Sequence, residues 1–318
     1  MEIALLEPLG VSRELISQLS APIKASGHKF VYFDKKTTDL QELAKRSEKC
    51  NVVMIANNPY PAQVVEQSKN LQLIDVAFTG IDHVALDACR ERNIQICNAA
   101  NYSNQTVAEM VIGMTIALLR KFPEADSAVR SQRNATGLTG REIAGRTVGV
   151  IGTGRIGMIV AKLFLAFGAK VIASDPYPNP EAEQLGIAYM PLKKLMSQSD
   201  IVTLHTPNTP ETRGMIDKDC FYSMKKNSYF INCARGPIID NKALADVLNE
   251  ERISGAGIDV YNVEPPIPAD EPLLHAKHTI LTPHTAFLSE ESMIRRAYIA
   301  FENLQAYLDG KPQNLCKF

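Results

Sequence analysis

Tryptophan is absent from the 318 residues, and the six cysteines include no Cys-x-x-Cys pair. Scattered at positions 50, 89, 97, 220, 233 and 316, they suit free thiols in a reducing compartment better than a disulfide framework or a zinc site. No set of His, Cys and carboxylates has metal-ligand spacing, so no metal is expected. No uninterrupted apolar run approaches the ~18 residues of a membrane span. The N-terminal stretch 1–7 lacks the basic and apolar regions of a signal peptide, so a cytoplasmic location is expected. An excess of either charge is missing too. The formal net charge of −1 gives no general attraction to nucleic acid or to an anionic membrane. There is no internal repeat and no low-complexity tract. What is left is an ordinary globular composition, 45% hydrophobic and 22% charged,. The chain is longer than one compact core usually holds, so two domains are expected.

What is present begins with an alternation. Apolar runs at 3–6, 29–33, 51–56, 71–78 and 94–97 read as strands. Helical patterns at 12–19, 39–49, 62–68 and 86–92 lie between them. Such alternation implies parallel pairing and an α/β sheet. A long helical pattern over 104–122 follows, with Asn104 or Thr106 as a possible N-cap. The stretch 124–147 is polar and basic and reads as a connecting arm. A second alternating unit then starts at 147 and counts about six strands, ending near 282. The last helix is expected at 290–308, after Ser289.

The second unit opens on a strand, Gly152-x-Gly154-x-x-Gly157 and a helical pattern, which is the context a dinucleotide fingerprint needs. Gly152 permits the tight turn, Gly154 lets the backbone approach a pyrophosphate, and Gly157 lets helix and strand pack closely. The pyrophosphate is expected on the N–H groups around Arg155 and Ile156 at the positive helix end. A second strand, 170–174, ends at Asp175. An acid there accepts hydrogen bonds from a ribose diol and repels a 2′-phosphate, which favours NAD over NADP.

In open α/β sheets, ligands gather beyond the carboxyl ends of the strands. Five such ends carry polar chemistry: Asn57 with Asn58, Thr79-Gly80-Ile81, Arg235, Glu264 and His284. The last three follow strands of the second unit and can converge on one crevice.

Together these motifs resemble the D-isomer-specific 2-hydroxyacid dehydrogenases over essentially the whole chain. The glycine turn with Asp175 resembles the family's NAD fingerprint. His205-Thr206-Pro207 with Thr209 and Thr212 is similar to its second signature. Met224-Lys225 through Asn232-Cys233-Ala234-Arg235-Gly236, with Asp240, is similar to its third. Gly257-x-Asp259-Val260 with Glu264-Pro265, and Pro283-His284, match its remaining blocks, and Thr106-Val107-Ala108-Glu109 resembles the start of its linker helix.

The resemblance implies two Rossmann-like α/β domains. A doubly wound parallel-sheet NAD domain (101–284) is inserted in a smaller flavodoxin-like substrate domain (1–100 with 285–318), with hinge closure between them. It implies interconversion of a 2-keto acid and its D-2-hydroxy acid. His284 would be the proton donor and acceptor, Glu264 its partner, and Arg235 the grip on the substrate carboxylate. Asn57, Thr79, Gly80 and Ile81 would bind substrate. Thr106, the three glycines, Arg155, Ile156, Asp175, His205, Thr206, Pro207, Thr212, Cys233, Ala234 and Asp259 would line the NAD pocket. Cys233 is then a pocket residue and no nucleophile, and His205 and His83 take no part in proton transfer. The arm at 123–146 would help form a homodimer through the NAD domain.

Among the family's branches, phosphoglycerate enzymes need cations for a phosphate, and the loop 56–60 has no Lys or Arg. The D-lactate branch usually has a Tyr where Leu288-Ser289 stand and an Arg where Ala77-Phe78 stand. Formate enzymes carry Gln where Glu264 stands. Hydroxypyruvate or glyoxylate therefore leads pyruvate and bulkier acids. A redox-sensing binding protein on the same scaffold, like the family's corepressor relatives, is the alternative of another class.

Overall fold

A computed structural model describes every residue from Met1 to Phe318. The chain divides into two compact units, Met1–Ser103 with Leu288–Phe318, and Asn104–Phe287.

The first unit alternates β1 (Glu2–Leu5), α1 (Arg13–Ala25), β2 (Lys29–Tyr32), α2 (Leu40–Ser47), β3 (Val52–Ile55), α3 (Ala62–Gln67), β4 (Leu73–Val76), α4 (Leu86–Glu91) and β5 (Gln95–Asn98). The five strands pair in parallel in the order β2-β1-β3-β4-β5, the flavodoxin-like order. β3 and β4 are buried along their whole length, as parallel strands covered on both faces must be. α1 runs six residues past the expected end, through Pro22. Proline there removes one backbone donor, yet Ile16, Ser20 and Ile23 bury one face of the helix against the core, and that packing carries it on.

The second unit begins with α5 (Asn104–Leu119) and α6 (Phe122–Arg130). α5 starts at Asn104 itself, so Asn104 and Thr106 both lie within its first turn and neither is the cap. α6 occupies part of the stretch expected to be a plain arm. Lys121 takes a left-handed backbone between the two helices, and Pro123 suits a helix start. Then follow β6 (Thr147–Ile151), α7 (Arg155–Ala166), β7 (Lys170–Ser174), α8 (Pro180–Gln184), β8 (Ala188–Tyr189), α9 (Leu192–Gln198), β9 (Ile201–Leu204), α10 (Lys218–Ser223), β10 (Tyr229–Asn232), α11 (Asn241–Asn249), β11 (Gly255–Ile258) and β12 (Thr279–Leu281).

The sheet order is β12-β11-β10-β9-β6-β7-β8, and every pair is parallel. That is the doubly wound order with one strand added. Seven strands form where about six were expected, because the two-residue β8 pairs with β7 through Ile172 and Ala188. So short an element leaves no periodicity in the sequence. Val111 and Met114 of α5 pack with Val160 and Phe164 of α7 in one core. Leu195, Phe221, Leu244 and Leu248 belong to a second.

The last helix, α12 (Glu290–Leu308), belongs to the first unit. Its start at Ser289 is a capping box. The Ser289 hydroxyl accepts from Ser292 N–H, and the Ser292 side chain bonds back to the cap. Ala297, Ala300, Phe301 and Leu304 then join the core of the β1–β5 sheet.

Candidate active site

The order of the second sheet reverses at β6. The chain leaves β6 for β7 and β8 on one side, then returns to β9 on the other. Loops leaving β6 and β9 therefore diverge, and a crevice opens at their carboxyl ends. Gly152 follows β6 with φ +89°, and a Cβ there would meet the His205 carbonyl at 2.6 Å and Thr206 Cγ2 at 2.9 Å. The structure thus brings Gly152, His205 and Thr206 together. Gly157 is held as tightly, since a Cβ would lie 2.0 Å from the Gly152 carbonyl oxygen. Gly154 differs: nothing lies within 4 Å of its Cβ position. It caps α7 without any side-chain hydrogen bond, which leaves a helix N-terminus suited to an anion. The Thr206 hydroxyl is buried without a partner.

Asp175 follows β7, as the spacing predicts. Its Oδ2 accepts from Thr153 N–H at 2.7 Å and from the Thr153 hydroxyl at 3.1 Å, and its Oδ1 accepts from Tyr177 N–H at 2.8 Å. These contacts tie the acid to the glycine turn. An open cradle at Gly154, an orphaned hydroxyl at Thr206 and an acid fixed at the second strand end together fit a dinucleotide.

His205 has its Nε2 2.9 Å from the Thr203 hydroxyl, and burial pushes the imidazole down to about 3. A ring so held favours the neutral form at working pH. The Thr212 hydroxyl accepts from Thr209 N–H and donates to the Pro207 carbonyl, so it shapes its own loop.

At the other side of the sheet, β10, β11 and β12 are neighbours. Asn232 pairs with Ile258, and Ile258 pairs with Leu281. Arg235 lies three residues past β10, Glu264 six past β11 and His284 three past β12, so all three leave the same edge on strands ~4.8 Å apart. His284 Nδ1 lies 2.7 Å from Glu264 Oε2. The His side chain is 12% exposed and the Glu side chain 64% exposed. The imidazole also meets the Phe287 ring edge-on, with centroids 5.5 Å apart. His284 itself has φ +56°, an uncommon left-handed conformation for a residue with a Cβ.

Asp259 supplies the frame that fixes this conformation. Fully buried, its carboxylate accepts from the Thr282 hydroxyl at 2.5 Å, Thr285 N–H at 2.7 Å and Ala286 N–H at 2.9 Å. His284 N–H donates to the Asp259 carbonyl at 2.8 Å. Asp259 is thus the organiser of the histidine loop, a role the sequence reading missed when it gave Asp259 only to the cofactor.

A sequence model described as "D-isomer specific 2-hydroxyacid dehydrogenase, NAD binding domain" matches residues 112–286. The chain belongs to this family. It is an NAD-dependent oxidoreductase of the 2-hydroxyacid dehydrogenases, acting on small 2-keto or 2-hydroxy acids. It is 33% identical to a hydroxypyruvate reductase of Blautia hydrogenotrophica over 92% of this chain and 93% of that one. It is 36% identical to a D-3-phosphoglycerate dehydrogenase of Methanocaldococcus jannaschii over 85% of this chain, spanning 52% of that protein. Among solved structures, an acyclic imino acid reductase in complex with NADPH and D-Arg superposes with a TM-score of 0.89 at 28% identity, covering 100% of both chains.

Of the remaining residues expected in this dehydrogenase, Asn57, Thr79, Cys233 and Arg235 follow strand ends, whereas Thr106 lies in α5 and Arg155 and Ile156 open α7. Cys233 is a buried thiol 3.8 Å from the Met114 sulfur, and burial raises it well above the ordinary thiol value, which disfavours the thiolate. Arg235 follows in extended conformation, its Nη1 donating to the Ala234 carbonyl at 2.8 Å. In the first unit, Thr79 is exposed just beyond β4, and its carbonyl accepts from the Asn98 side chain at 2.7 Å. Near Asn57 the structure adds two residues that sequence reasoning missed. Buried Glu7 accepts from Ala56 N–H at 2.7 Å and Asn58 N–H at 3.0 Å, and Lys36 donates to Asn57 Oδ1 at 3.2 Å. This cation comes from outside the loop 56–60, from a position twenty residues before it. No helix is long and apolar enough to cross a membrane.

Proposed function

We propose that the enzyme interconverts a small unphosphorylated 2-keto acid, hydroxypyruvate or glyoxylate foremost, and its D-2-hydroxy acid. Bound NAD supplies the hydride donor or acceptor. The rest falls to side chains of this chain, and the observation that carries the reading is the 2.7 Å contact of His284 Nδ1 with Glu264. An ionised carboxylate only accepts, so Nδ1 carries a hydrogen, and the other ring nitrogen, Nε2, exchanges a proton with the substrate oxygen. Imidazolium at His284 protonates the carbonyl oxygen in reduction, and neutral imidazole takes the hydroxyl proton in oxidation. Arg235 holds the substrate carboxylate through its planar fork.

Asn57, Thr79, Gly80 and Ile81 donate further hydrogen bonds to the substrate. Thr106, Gly152, Gly154, Arg155, Ile156, Gly157, Asp175, His205, Thr206, Pro207, Thr212, Cys233, Ala234 and Asp259 serve the NAD pocket. The enzyme acts as a homodimer through the NAD domain, a reading supported by Phe122 and Val129 of α6, which are 54% and 76% exposed. It works in the cytoplasm.

One observation favours a second reading, a phosphorylated substrate: Lys36 places a cation beside Asn57. That charge is shared with buried Glu7, whose Oε2 lies 4.0 Å from Lys36 Nζ, so the unphosphorylated substrate stands first. NADH oxidation with a panel of 2-keto acids decides between them. Highest kcat/KM for hydroxypyruvate or glyoxylate is expected, and a preference for phosphohydroxypyruvate would reverse the order. Arg235→Lys should lower kcat/KM about 10- to 100-fold with NADH affinity kept.

A further inference from the structure

Asp175 is held by a relay of hydrogen bonds that runs in one direction. Asn179 N–H donates to the Tyr189 hydroxyl at 2.9 Å. The Tyr189 hydroxyl donates to Thr153 Oγ1 at 2.8 Å, and the Thr153 hydroxyl donates to Asp175 Oδ2 at 3.1 Å. The direction is forced, because the carboxylate can only accept and the Asn179 N–H can only donate. The Asn179 side chain closes the circuit on the Thr153 carbonyl at 3.1 Å. Thr153 is 3% exposed, so its hydroxyl has no solvent substitute for either bond. Tyr189 stands on β8, where it pairs with Ala173 of β7, and its hydroxyl reaches Thr153.

The relay leaves little of Asp175 uncommitted. A carboxylate offers roughly four acceptor positions. Thr153 occupies two on Oδ2 and Tyr177 N–H one on Oδ1, which leaves about one, on Oδ1. A ribose hydroxyl brings a proton to that position. A 2′-phosphate brings negative charge and meets a carboxylate that cannot turn aside without breaking three bonds. A neighbour of the same fold is known with NADPH, so the fold alone does not set this choice.

We propose that Thr153 and Tyr189 are specificity-determining positioning residues, which lock the Asp175 carboxylate so that it admits the ribose diol of NAD and rejects a 2′-phosphate. The proposal rests on the reading of Asp175 as the ribose acceptor. Neither residue touches the reacting atoms. Both act through the acid, one from the glycine turn and the other from the edge strand.

The test is calorimetric titration of the purified protein with NAD and with NADP, no substrate present. Thr153→Val keeps the shape and loses the hydroxyl, Thr153→Ser keeps the hydroxyl, and Tyr189→Phe cuts the relay one step earlier. Thr153→Val should narrow the ratio of NAD to NADP affinity about tenfold and Tyr189→Phe about threefold, with Thr153→Ser within twofold of the parent. Asp175→Ala separates the two levels of the argument. If it narrows the ratio and neither Thr153→Val nor Tyr189→Phe does, the relay is idle and the proposal falls alone. If Asp175→Ala leaves the ratio intact, the ribose reading falls with it. Equal loss of both affinities in Thr153→Val means a damaged turn and also overturns the proposal.

Discussion

Two histidines follow parallel strands of the same sheet, His205 after β9 and His284 after β12, and their surroundings are opposite in kind. The His205 ring has a neutral hydroxyl for a partner, that of Thr203, and burial holds it down to about 3. The His284 ring has a carboxylate for a partner at 2.7 Å. Around His205 the contacts are backbone ones that shape a turn. Its N–H donates to the Ile151 carbonyl, and its own carbonyl lies against Gly152. Around His284 three donors converge on Asp259 to hold an uncommon backbone. An imidazole at a strand end is therefore no sign of acid–base chemistry by itself. A charged partner aimed at one nitrogen, with the loop fixed behind it, is what distinguishes the two.

Removing that partner should do most to erase the difference. Glu264→Gln keeps the shape and takes away the charge, and keto-acid reduction should fall roughly 10²- to 10³-fold in kcat/KM. NADH affinity, read by fluorescence titration, should stay within about twofold. A smaller effect is expected from loosening the loop. Asp259→Asn puts an amide donor against N–H groups that need an acceptor, so thermal stability should fall by about 2–4 kcal/mol. Turnover should fall about tenfold as His284 drifts from its position. Unchanged melting in that variant would remove Asp259 from the account of the loop.

The smallest effect on turnover belongs to His205. His205→Gln should leave kcat within about threefold while weakening NADH binding several-fold. Its clearer signature is in acid. A ring whose folded value, about 3, lies below the unfolded ~6.5 gives its full contribution above pH 6.5. That contribution is lost as pH falls toward 3. At pH 5 the loss amounts to at most about 2 kcal/mol, less where solvent reaches this half-buried residue. His205→Gln has no such group, so its melting temperature should drop less between pH 7 and pH 5 than that of the parent. An equal drop would show that His205 is charged in the folded protein and would weaken the contrast with His284.

The parts legible in the sequence were those written in short contiguous patterns. The Gly152–Gly157 turn, the acid at the end of the next strand and the long apolar strands of both sheets carry period and spacing. α12 announces itself through Ser289 and its apolar stripe. What stayed hidden was made of pairs distant in sequence. The grip of Asp259 on Thr282, Thr285 and Ala286 spans more than twenty residues and depends on β11 and β12 lying side by side. Lys36 reaches Asn57, and Tyr189 reaches Thr153, only because parallel crossovers bring those strand ends together. β8 is two residues long, and α6 buries only Ala128, so neither carries a readable apolar stripe. The family resemblance conveyed Asp259 as a cofactor residue because a motif names the residue and not its hydrogen bonds.

The central claim is that His284, and not another group at these strand ends, exchanges the proton with substrate. Steady-state reduction of the preferred 2-keto acid by His284→Ala, with NADH affinity measured on the same preparation, tests it most directly. A loss in kcat/KM of about 10³-fold or more is expected, with NADH bound as tightly as by the parent. Turnover within tenfold of the parent, at undiminished NADH affinity, would contradict it and assign the proton elsewhere.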